Sequence, residues 1–397
     1  MFRNKNKPKI LCVTDFYLPG FKGGGPIRTI ANMCAALAHE IDFSIYTRDS
    51  DLGVTQSYES IVPGTWSKVG DASVYYDSSS TFGASGLTKA AKGLDFDLIY
   101  LNSFFSWHGS ISICLRKTSV HLKDKKILLA PRGEFSAGAL QQKFFKKKFF
   151  LLVAKLFGLY KDVYWHASSE LEAEDIRRAL SIERKKIFVA SDLVALSDAD
   201  FPSIDENESQ SNNLLKLGFV SRISPMKNLD GLLKILQKIK ENVSLSIYGP
   251  IEDKNYWQTS QSIIDLMPSN VSVQYCGELP PSEVSKAFSK FDLFVFPTLG
   301  ENFGHVIFES LRAGTPVVVS DQTPWQHQAD GSITVLSLAD DKAWMDAIAS
   351  ASCRSFEEKI AVKKAAFSYA KKYLEESNEV AANLNMFTAL AGKVSAN

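Results

Sequence analysis

The chain has 397 residues, 45% hydrophobic and 22% charged, a composition typical of soluble globular proteins and a length sufficient for two domains. Its formal net charge of +1 argues against the strongly basic class of nucleic-acid-binding proteins. The five cysteines form no C-x-x-C motif, which argues against a disulfide framework or a zinc site and fits a reducing cytoplasm. We expect no cleavable secretory signal, and no stretch approaches the roughly 20 apolar residues that span a bilayer.

Short β-branched or aromatic runs alternate with helical patterns along almost the whole chain. Strands of the first half are predicted at 9–14, 43–47, 98–102, 126–130 and 163–167. Strands of the second half are predicted at 215–221, 244–249, 271–275, 293–297 and 316–320. Alternation of this kind indicates an α/β protein with right-handed crossovers and mostly parallel sheets.

A stretch rich in Ser, Asp and Asn, residues 191–213, interrupts the alternation and is predicted to be a linker. It separates a first α/β domain, 1–190, from a second, 214–377. The final segment, about 378–397, has apolar residues at helical spacing and is predicted to be a helix that joins the first domain.

The segment TLGENFGHVIFESLRAG runs from a buried strand of the second domain into a helix. Its loop residues Glu301, Asn302 and Phe303 follow the carboxyl end of a parallel strand, where open α/β sheets bind ligands. Gly304 permits close backbone approach, and the amides of the first helical turn favour an anionic ligand.

Glu301 and Glu309 are separated by eight positions. At a rise of ~1.5 Å per residue this corresponds to about 12 Å, too far for the two carboxylates to flank one bond as in a glycosidase. A sugar-nucleotide would span such a distance. The alternative is a solvated helix residue and an unrelated loop acid.

The segment SRISPMKNLDG places Arg222 and Lys227 after another strand of the second domain, just before a helix. Two cations at the carboxyl end of a strand suit a diphosphate, because Arg offers forked contacts and Lys a point charge. Surface cations on a loop are the alternative.

In the first domain, the glycines at 23–25 precede Pro26 and would let backbone amides approach a phosphate or a sugar. They match neither G-x-G-x-x-G nor the P-loop pattern, and a flexible connection is the alternative.

Three further candidates follow strands of the first domain. His166 ends a predicted strand before a helix with Ser169 and Glu172 at capping-box spacing, a position where histidine is more often structural. Arg132 and Glu134 follow another strand in APRGEF. The histidines are scattered, and the two D-x-D pairs lie before a strand and in the linker, so no metal site is predicted.

These segments resemble the retaining nucleotide-sugar glycosyltransferases of family 4. The resemblance is strongest over 218–325, where SRISPMKNLDGLL is followed by PTLGENFGHVIFESLRAGTPVVVSDQTPW. GGGPIRTI, APRGEF and HASSELE resemble landmarks of the family's first domain. The resemblance implies the GT-B architecture, two Rossmann-like domains that face each other across a cleft, with the donor site mainly on the second.

The resemblance also implies roles for residues of the second domain. Arg222 and Lys227 would bind the donor diphosphate and stabilise it as the leaving group. Glu301 would contact the donor sugar near the reacting carbon, and Glu309 would bind the ribose hydroxyls. The loop backbone that would hold sugar hydroxyls and phosphate belongs to Asn302, Phe303 and Gly304.

In the first domain, the resemblance implies that Gly24 and Gly25 approach the donor phosphate and that His166 lies close to the sugar and the acceptor. Arg132 and Glu134 are candidates for the acceptor side. Many relatives have a histidine at the position of Arg132, although arginine also occurs there.

The implied activity is metal-independent, retaining glycosyl transfer without a cofactor. The donor would be UDP- or GDP-linked, and the acceptor a saccharide or lipid-linked saccharide, in the synthesis of bacterial surface polysaccharide. A nucleotide-sugar epimerase with the same architecture is one alternative, and a non-catalytic nucleotide-sugar-binding regulator is another.

Residues 141–161, QQKFFKKKFFLLVAKLFGLYK, mix lysines with aromatic and aliphatic residues. Such a basic amphipathic helix can rest on an anionic membrane, here the inner face of the cell membrane. The alternative, which we favour for most of these apolar residues, is a helix packed on the sheet with its lysines in water.

Overall fold

A computed structural model describes residues 7–116, 122, 124–141, 144–194, 201 and 214–392. The chain divides into two compact units, Met1–Leu196 with Asn378–Asn397, and Ser197–Ser377. Most of the predicted linker lies outside the described residues. Within the described part of the chain, no helix is both long and apolar enough to cross a bilayer.

The first unit is built on an eight-stranded sheet of order β3-β4-β2-β1-β5-β6-β7-β8. All neighbouring strands are parallel except β3 and β4, which pair antiparallel. The strands are β1 (Lys9–Val13), β2 (Asp42–Arg48), β3 (Trp66–Val69), β4 (Ala72–Asp77), β5 (Leu98–Asn102), β6 (Lys126–Ala130), β7 (Val163–Ala167) and β8 (Ile187–Val189). The central strands β1 and β5 are almost wholly buried because apolar side chains pack on both faces of the sheet.

The helices of the first unit before its boundary are α1 (Gly25–Ala36), α2 (Ala84–Ala90), α3 (Ser112–Leu115), α4 (Ala137–Gln141), α5 (Phe144–Leu156) and α6 (Glu170–Leu180). A short π-helical turn, Trp107–Ile111, leads directly into α3. Helix α1 begins directly after the glycine-rich loop, with Gly24 as its N-cap and Pro26 in the first turn.

The second unit has a six-stranded, fully parallel sheet of order β11-β10-β9-β12-β13-β14. Its strands are β9 (Leu214–Val220), β10 (Asn242–Tyr248), β11 (Val271–Tyr275), β12 (Leu293–Phe296), β13 (Val317–Ser320) and β14 (Ile333–Leu336). Its helices are α7 (Leu229–Leu236), α8 (Lys254–Ile264), α9 (Val284–Ser289), α10 (His305–Arg312), α11 (Asp341–Ser352) and α12 (Phe356–Glu376). The strand order reverses between β9 and β12, which makes the carboxyl ends of these two strands the expected ligand position.

Helix α13 (Glu379–Ala391) returns to the first unit. Met386, Phe387 and Leu390 are buried there. The Phe387 ring makes edge contacts with Phe43 and Tyr100, at centroid distances of 5.7 and 5.3 Å. The predicted fold class, α/β with two mainly parallel sheets in Rossmann-like domains, is confirmed.

Candidate functional site

Lys227 and Glu301 meet at the switch point of the second sheet. Lys227 follows β9 and Glu301 follows β12, and the Lys227 ammonium donates to the Glu301 carboxylate in an ion pair. Their side chains are only 13% and 15% exposed. The Lys227 ammonium also lies 5.5 Å from the centroid of the Phe296 ring. Two residues 74 positions apart therefore form one charged centre at the edge where parallel α/β sheets bind ligands.

Backbone contacts hold the two loops together. The Leu299 amide donates to the Met226 carbonyl at 2.8 Å, and the Thr298 hydroxyl donates to the same carbonyl at 3.1 Å. Asn228 has a left-handed backbone, with φ of 56°, and its side-chain amide donates to the Pro297 carbonyl at 2.9 Å. Hydrogen bonds between the two loops therefore fix the position of Lys227 against Glu301.

Arg222 lies at the end of β9, half-exposed, and its Nη1 donates to both Glu252 oxygens at 3.0 Å. Glu252 follows β10, the neighbour of β9. Gly249 permits this arrangement: its φ is +135°, and a Cβ there would overlap the Ser221 carbonyl oxygen. Our sequence analysis missed Glu252, because the sequence does not show which strand lies beside β9.

The loop after Glu301 consists of Asn302, Phe303 and Gly304 and leads into α10. The Phe303 ring is buried against Trp325, and the Trp325 indole N–H donates to the Phe303 carbonyl at 2.6 Å. Gly304 caps α10 with φ of 82°, where a Cβ would lie 2.8 Å from the Ile307 Cδ1. The Asn302 Nδ2 is buried without a hydrogen-bond partner among the described residues. A polar donor that lacks a protein partner fits a loop shaped to receive a ligand.

Glu309 lies on α10, half-buried, in the second turn of the helix that begins just after Gly304. The helix presents its first-turn amides toward the loop that carries Glu301. Glu301 itself is anchored by its backbone amide, which donates to the Gln322 carbonyl at 3.0 Å. The two carboxylates therefore belong to one loop-helix unit.

The glycine-rich loop of the first unit is held by an acid that sequence reasoning missed. Asp51 is buried, and its Oδ2 accepts from the amides of Phe21 and Lys22 at 2.8 and 3.1 Å. Gly24 follows with φ of 70°, and Gly25 starts α1. Asp51 thus fixes the segment that leads into the two glycines.

His166 lies at the end of β7 and is buried. Its Nδ1 is 2.7 Å from the Tyr100 hydroxyl, and its Nε2 is 2.8 Å from the Ala190 carbonyl. Burial, assisted by the nearby Arg132 guanidinium, lowers the pKa of His166 to about 4. A neutral ring that donates from Nε2 to the carbonyl and accepts at Nδ1 satisfies both contacts. Both ring nitrogens are therefore engaged within the unit, and contact with a sugar or an acceptor stays a prediction.

Arg132 is equally enclosed. It forms an ion pair with Asp192 and donates to the Tyr100 hydroxyl at 2.6 Å and to the side-chain Oδ1 of Asn102 at 2.9 and 3.1 Å. Its backbone has a positive φ of 57°, which is unusual outside glycine. Since a buried cation needs such partners, the network accounts for the position of Arg132, and its acceptor-side role stays a prediction.

Two buried carboxylates accept hydrogen bonds from the loops that follow β5, β6 and β7. Glu134 accepts from the Ser103 hydroxyl at 2.7 Å and from the backbone amide of Phe105 at 3.0 Å. Glu172 accepts from the amides of Gly133 and Ser168 at 2.6 and 2.8 Å. Burial raises the pKa of both carboxyls. Glu134 thus holds the loop that follows β5, and a direct acceptor contact for it stays a prediction.

The predicted capping box at α6 forms only in part. The Ser169 hydroxyl accepts from the Glu172 amide at 3.1 Å, as expected for an N-cap. The Glu172 carboxylate bonds the Ser168 amide instead of that of Ser169. The described residues contain no group of three or more His, Cys, Asp or Glu side chains arranged to hold a metal ion.

Helix α5 exposes most of its large apolar side chains. Phe145 is 85% exposed, and the adjoining Phe157 is 79% exposed. The other exposed members of this face are Phe144, Phe149, Leu152 and Leu156. The expectation that most apolar residues of 141–161 pack on the sheet holds for only about half of them. Phe150, Leu151, Ala154, Leu159 and Tyr160 contact the core, and the exposed residues named above do not. Lys143 and its neighbour at 142 lie outside the described residues.

Comparisons with known proteins agree with this architecture. Residues 200–350 match the family model of Glycosyl transferases group 1. The chain is 28% identical over 111 residues to O-antigen chain mannosyltransferase B of Escherichia coli, a match that covers 26% of this chain and 28% of that relative. The chain thus matches less than a third of that protein's length.

Solved structures show the fold over nearly the whole chain. A sucrose-phosphate synthase from Thermosynechococcus elongatus has a TM-score of 0.72 at 14% identity, covering 96% of this chain and 98% of that one. The Anabaena protein Alr3699/HepE, solved in complex with UDP and glucose, has a TM-score of 0.66 at 15% identity, covering 97% and 100%. Residues 200–350 therefore resemble the Glycosyl transferases group 1 family, and the solved structures share the fold of this chain.

Proposed function

We propose that the protein is a metal-independent, retaining glycosyltransferase. It moves a sugar from a UDP- or GDP-linked donor to a saccharide or lipid-linked saccharide, in the synthesis of bacterial surface polysaccharide. The observation that carries the proposal is the buried Lys227–Glu301 pair at the switch point, with Arg222 at the end of the same strand β9. The similarity to an O-antigen mannosyltransferase supports the polysaccharide class.

Cleavage of the anomeric C–O bond places negative charge on the departing diphosphate and positive character on the sugar. Lys227 and Arg222 stabilise the first charge, because preorganised cations in a partly water-excluded site need no reorganisation at the moment of reaction. The first-turn amides of α10 add a fixed positive field. Arg222 exchanges Glu252 for the phosphate oxygens.

Glu301 orients the donor sugar and stabilises positive character near the reacting carbon. Its ion pair with Lys227 links the carboxylate at the sugar to the cation at the phosphate. Glu309 binds the ribose at the other end of the donor. For retention, the acceptor attacks the face from which the diphosphate leaves, and a phosphate oxygen takes the acceptor's proton.

Replacement of either member of the pair tests this assignment. We expect Lys227→Ala and Glu301→Gln each to lower donor turnover by roughly 10²-fold or more, the typical cost of losing one preorganised electrostatic group. The measurement is release of UDP or GDP and of product from a panel of nucleotide-sugars with saccharide acceptors.

Lys238→Ala is the matched control, because Lys238 forms an exposed ion pair with Asp341 on the same unit. Since removal of one partner leaves a half-buried charge, far-UV circular dichroism checks that each variant is folded. Near-normal turnover in a folded Lys227→Ala protein would contradict the assigned role. Conversion of the donor sugar without an acceptor would identify an epimerase instead.

We also propose that the exposed face of α5 rests on an anionic membrane surface at which a lipid-linked acceptor is met. Supporting this, Phe145, Phe149 and Leu156 are exposed on one helix that also carries Lys146, Lys148 and Lys155 and no acidic residue. Lysines beside exposed aromatic rings complement anionic headgroups.

A further inference from the structure

A pocket of about 730 Å³ opens in the first unit beside the carboxyl end of β4. The turn after β4, helix α2 and the π-helical turn with α3 form its walls. Its lining includes none of the residues assigned to the donor or to the network around His166. Its size falls within the roughly 300–1,000 Å³ of small-molecule sites, and such sites combine apolar surface with a few placed polar groups.

Two large apolar side chains line this pocket in an exposed state. Trp107 is 57% exposed and Leu115 is 54% exposed. The flat face of an exposed indole is an apolar surface of the size of a pyranose ring, whose axial C–H bonds can pack on it, while the indole N–H remains free to serve as a donor. The apolar side of the pocket therefore suits a sugar ring.

The charge of the pocket is positive. Lys89 and Arg116 line it, and neither forms an ion pair with any residue that the structure describes. The Arg116 Nη1 donates to the Ser85 hydroxyl at 2.5 Å, which orients the guanidinium. The carboxylate in the lining, Asp77, already accepts from the hydroxyls of Tyr46 and Thr81. Two cations against one carboxylate leave the lining with an excess of positive charge beside an aromatic surface, which favours an anionic ligand.

Hydroxyl groups and small residues complete the walls. Ser80, Ser85 and Ser112 line the pocket and can exchange hydrogen bonds with a polyol. Gly83 has a φ of +142°, and a Cβ there would lie 3.3 Å from the His108 Nδ1. A side chain at this position would crowd the space beside His108, so the glycine keeps it open.

We propose that this pocket binds a saccharide that carries an acidic substituent, a carboxylate or a phosphate. Trp107 packs on the sugar ring, and Arg116 with Lys89 bind the acidic group. The inference rests on the proposed function only in that the bound saccharide is then the acceptor, or a part of it.

Saturation-transfer NMR with three probes, in the absence of nucleotide, tests the proposal. Methyl glucuronide and glucose 6-phosphate distinguish the two acidic groups, and methyl glucoside is the neutral counterpart. We expect at least one acidic probe to bind the full chain roughly tenfold more tightly than the neutral glycoside, as for one charge-assisted contact. Trp107→Ala should abolish binding of all probes and Trp107→Phe should retain part of it. Arg116→Gln together with Lys89→Gln should reduce the affinity for the acidic probe to that for the neutral one.

Arg178→Gln is the matched control, because Arg178 is an exposed arginine on α6 of the same unit. Binding that survives Trp107→Ala, equal binding of acidic and neutral probes, or no saccharide binding at all overturns the proposal. Since the probes are measured without donor, these outcomes are independent of the Lys227 and Glu301 tests. If the probes bind but no donor is turned over, the proposed transferase function is contradicted and the proposed saccharide pocket is supported.

Discussion

The buried His166 ring has a hydrogen-bond partner at each of its two nitrogens, and the ring is neutral. The His166 ring joins β7 to the segment after β8 through the Ala190 carbonyl, and it joins β5 through Tyr100. Arg132, Asp192 and Glu172 surround the same network. His166 therefore stabilises the packing of these loops through its two hydrogen bonds.

The depressed pKa of His166 predicts a pH-dependent contribution to stability. The unfolded histidine takes up a proton below its ordinary value of 6.5, while the folded one does so only near 4. Protonation therefore favours the unfolded chain in this window, and the contribution is lost as pH falls from about 6.5 to 4. We expect the stability advantage of wild type over His166→Gln to shrink by roughly 2–3 kcal/mol across it.

Urea unfolding at pH 7.5, 6, 5 and 4 measures this difference. Glu134 and Glu172 have raised pKa values, so their contributions to stability change with pH in the opposite direction. These contributions are present in both proteins and cancel in the comparison. His39→Gln removes an exposed histidine of the same unit and is the control. A difference between wild type and His166→Gln that does not change with pH would contradict a buried neutral histidine.

At this scale, sequence analysis could find residues whose signal is local. Arg222 and Lys227 were predicted because both stand between a strand and a helix in one short segment. The partner of Arg222, Glu252, is 30 positions away, and the partner of Arg132, Asp192, is 60 positions away. Pairings of this length depend on the order of strands in a sheet, which a single sequence does not specify.

Among the elements, strands with strong apolar character were predicted almost to the residue. β5, β6, β7 and β11 have the predicted bounds. The omitted strands are β3, β4, β8 and β14. β3 and β4 form a hairpin through Gly70, whose φ is 56°, so the Gly-Asp pair between them was a usable turn signal. The short β8 and β14 carry too few residues for alternation to be read.

Helix α5 could not be judged from its pattern, because lysines and apolar residues occur on every side. If its exposed face binds membranes, Phe145→Ala with Phe157→Ala should reduce binding to vesicles of phosphatidylcholine with anionic phosphatidylglycerol by roughly tenfold or more. Each phenylalanine would otherwise transfer its ring from water to the interface. Vesicle sedimentation measures the bound fraction.

Leu266→Ala is the matched control, since Leu266 is a similarly exposed apolar residue of the second unit. Vesicles of phosphatidylcholine alone should bind the wild-type protein weakly, because the lysines then have no anionic partner. Equal binding to both vesicle types, or unchanged binding of the double variant, would refute the membrane proposal.

At the scale of the whole molecule, α13 makes the first unit discontinuous in sequence. Phe387→Ala removes a ring packed between Phe43 and Tyr100 and should destabilise the first unit by about 3–5 kcal/mol, the usual cost for a buried phenylalanine. The second unit should keep its stability, since Phe387 belongs to the core of the first.

Hydrogen exchange followed by mass spectrometry distinguishes the two units. Amides of β1, β2 and β5 should exchange faster in Phe387→Ala, and those of β9 and β10 should not change. Val380→Ala alters an exposed position on the same helix and should have little effect. Equal loss of protection in both sheets would show that the units unfold together.

The return of α13 also affects the order of folding during synthesis. Domains generally fold as units, the N-terminal one first, as they leave the ribosome. Here the first sheet emerges early, but Phe43 and Tyr100 lack the ring of Phe387 until all of residues 197–377 have been translated. The core of the first unit therefore stays incomplete until α13 is synthesised, whereas the second unit can finish folding before then. Premature termination after residue 377 would yield a complete second unit attached to a first unit with exposed aromatic surface, a natural target for chaperones and proteases.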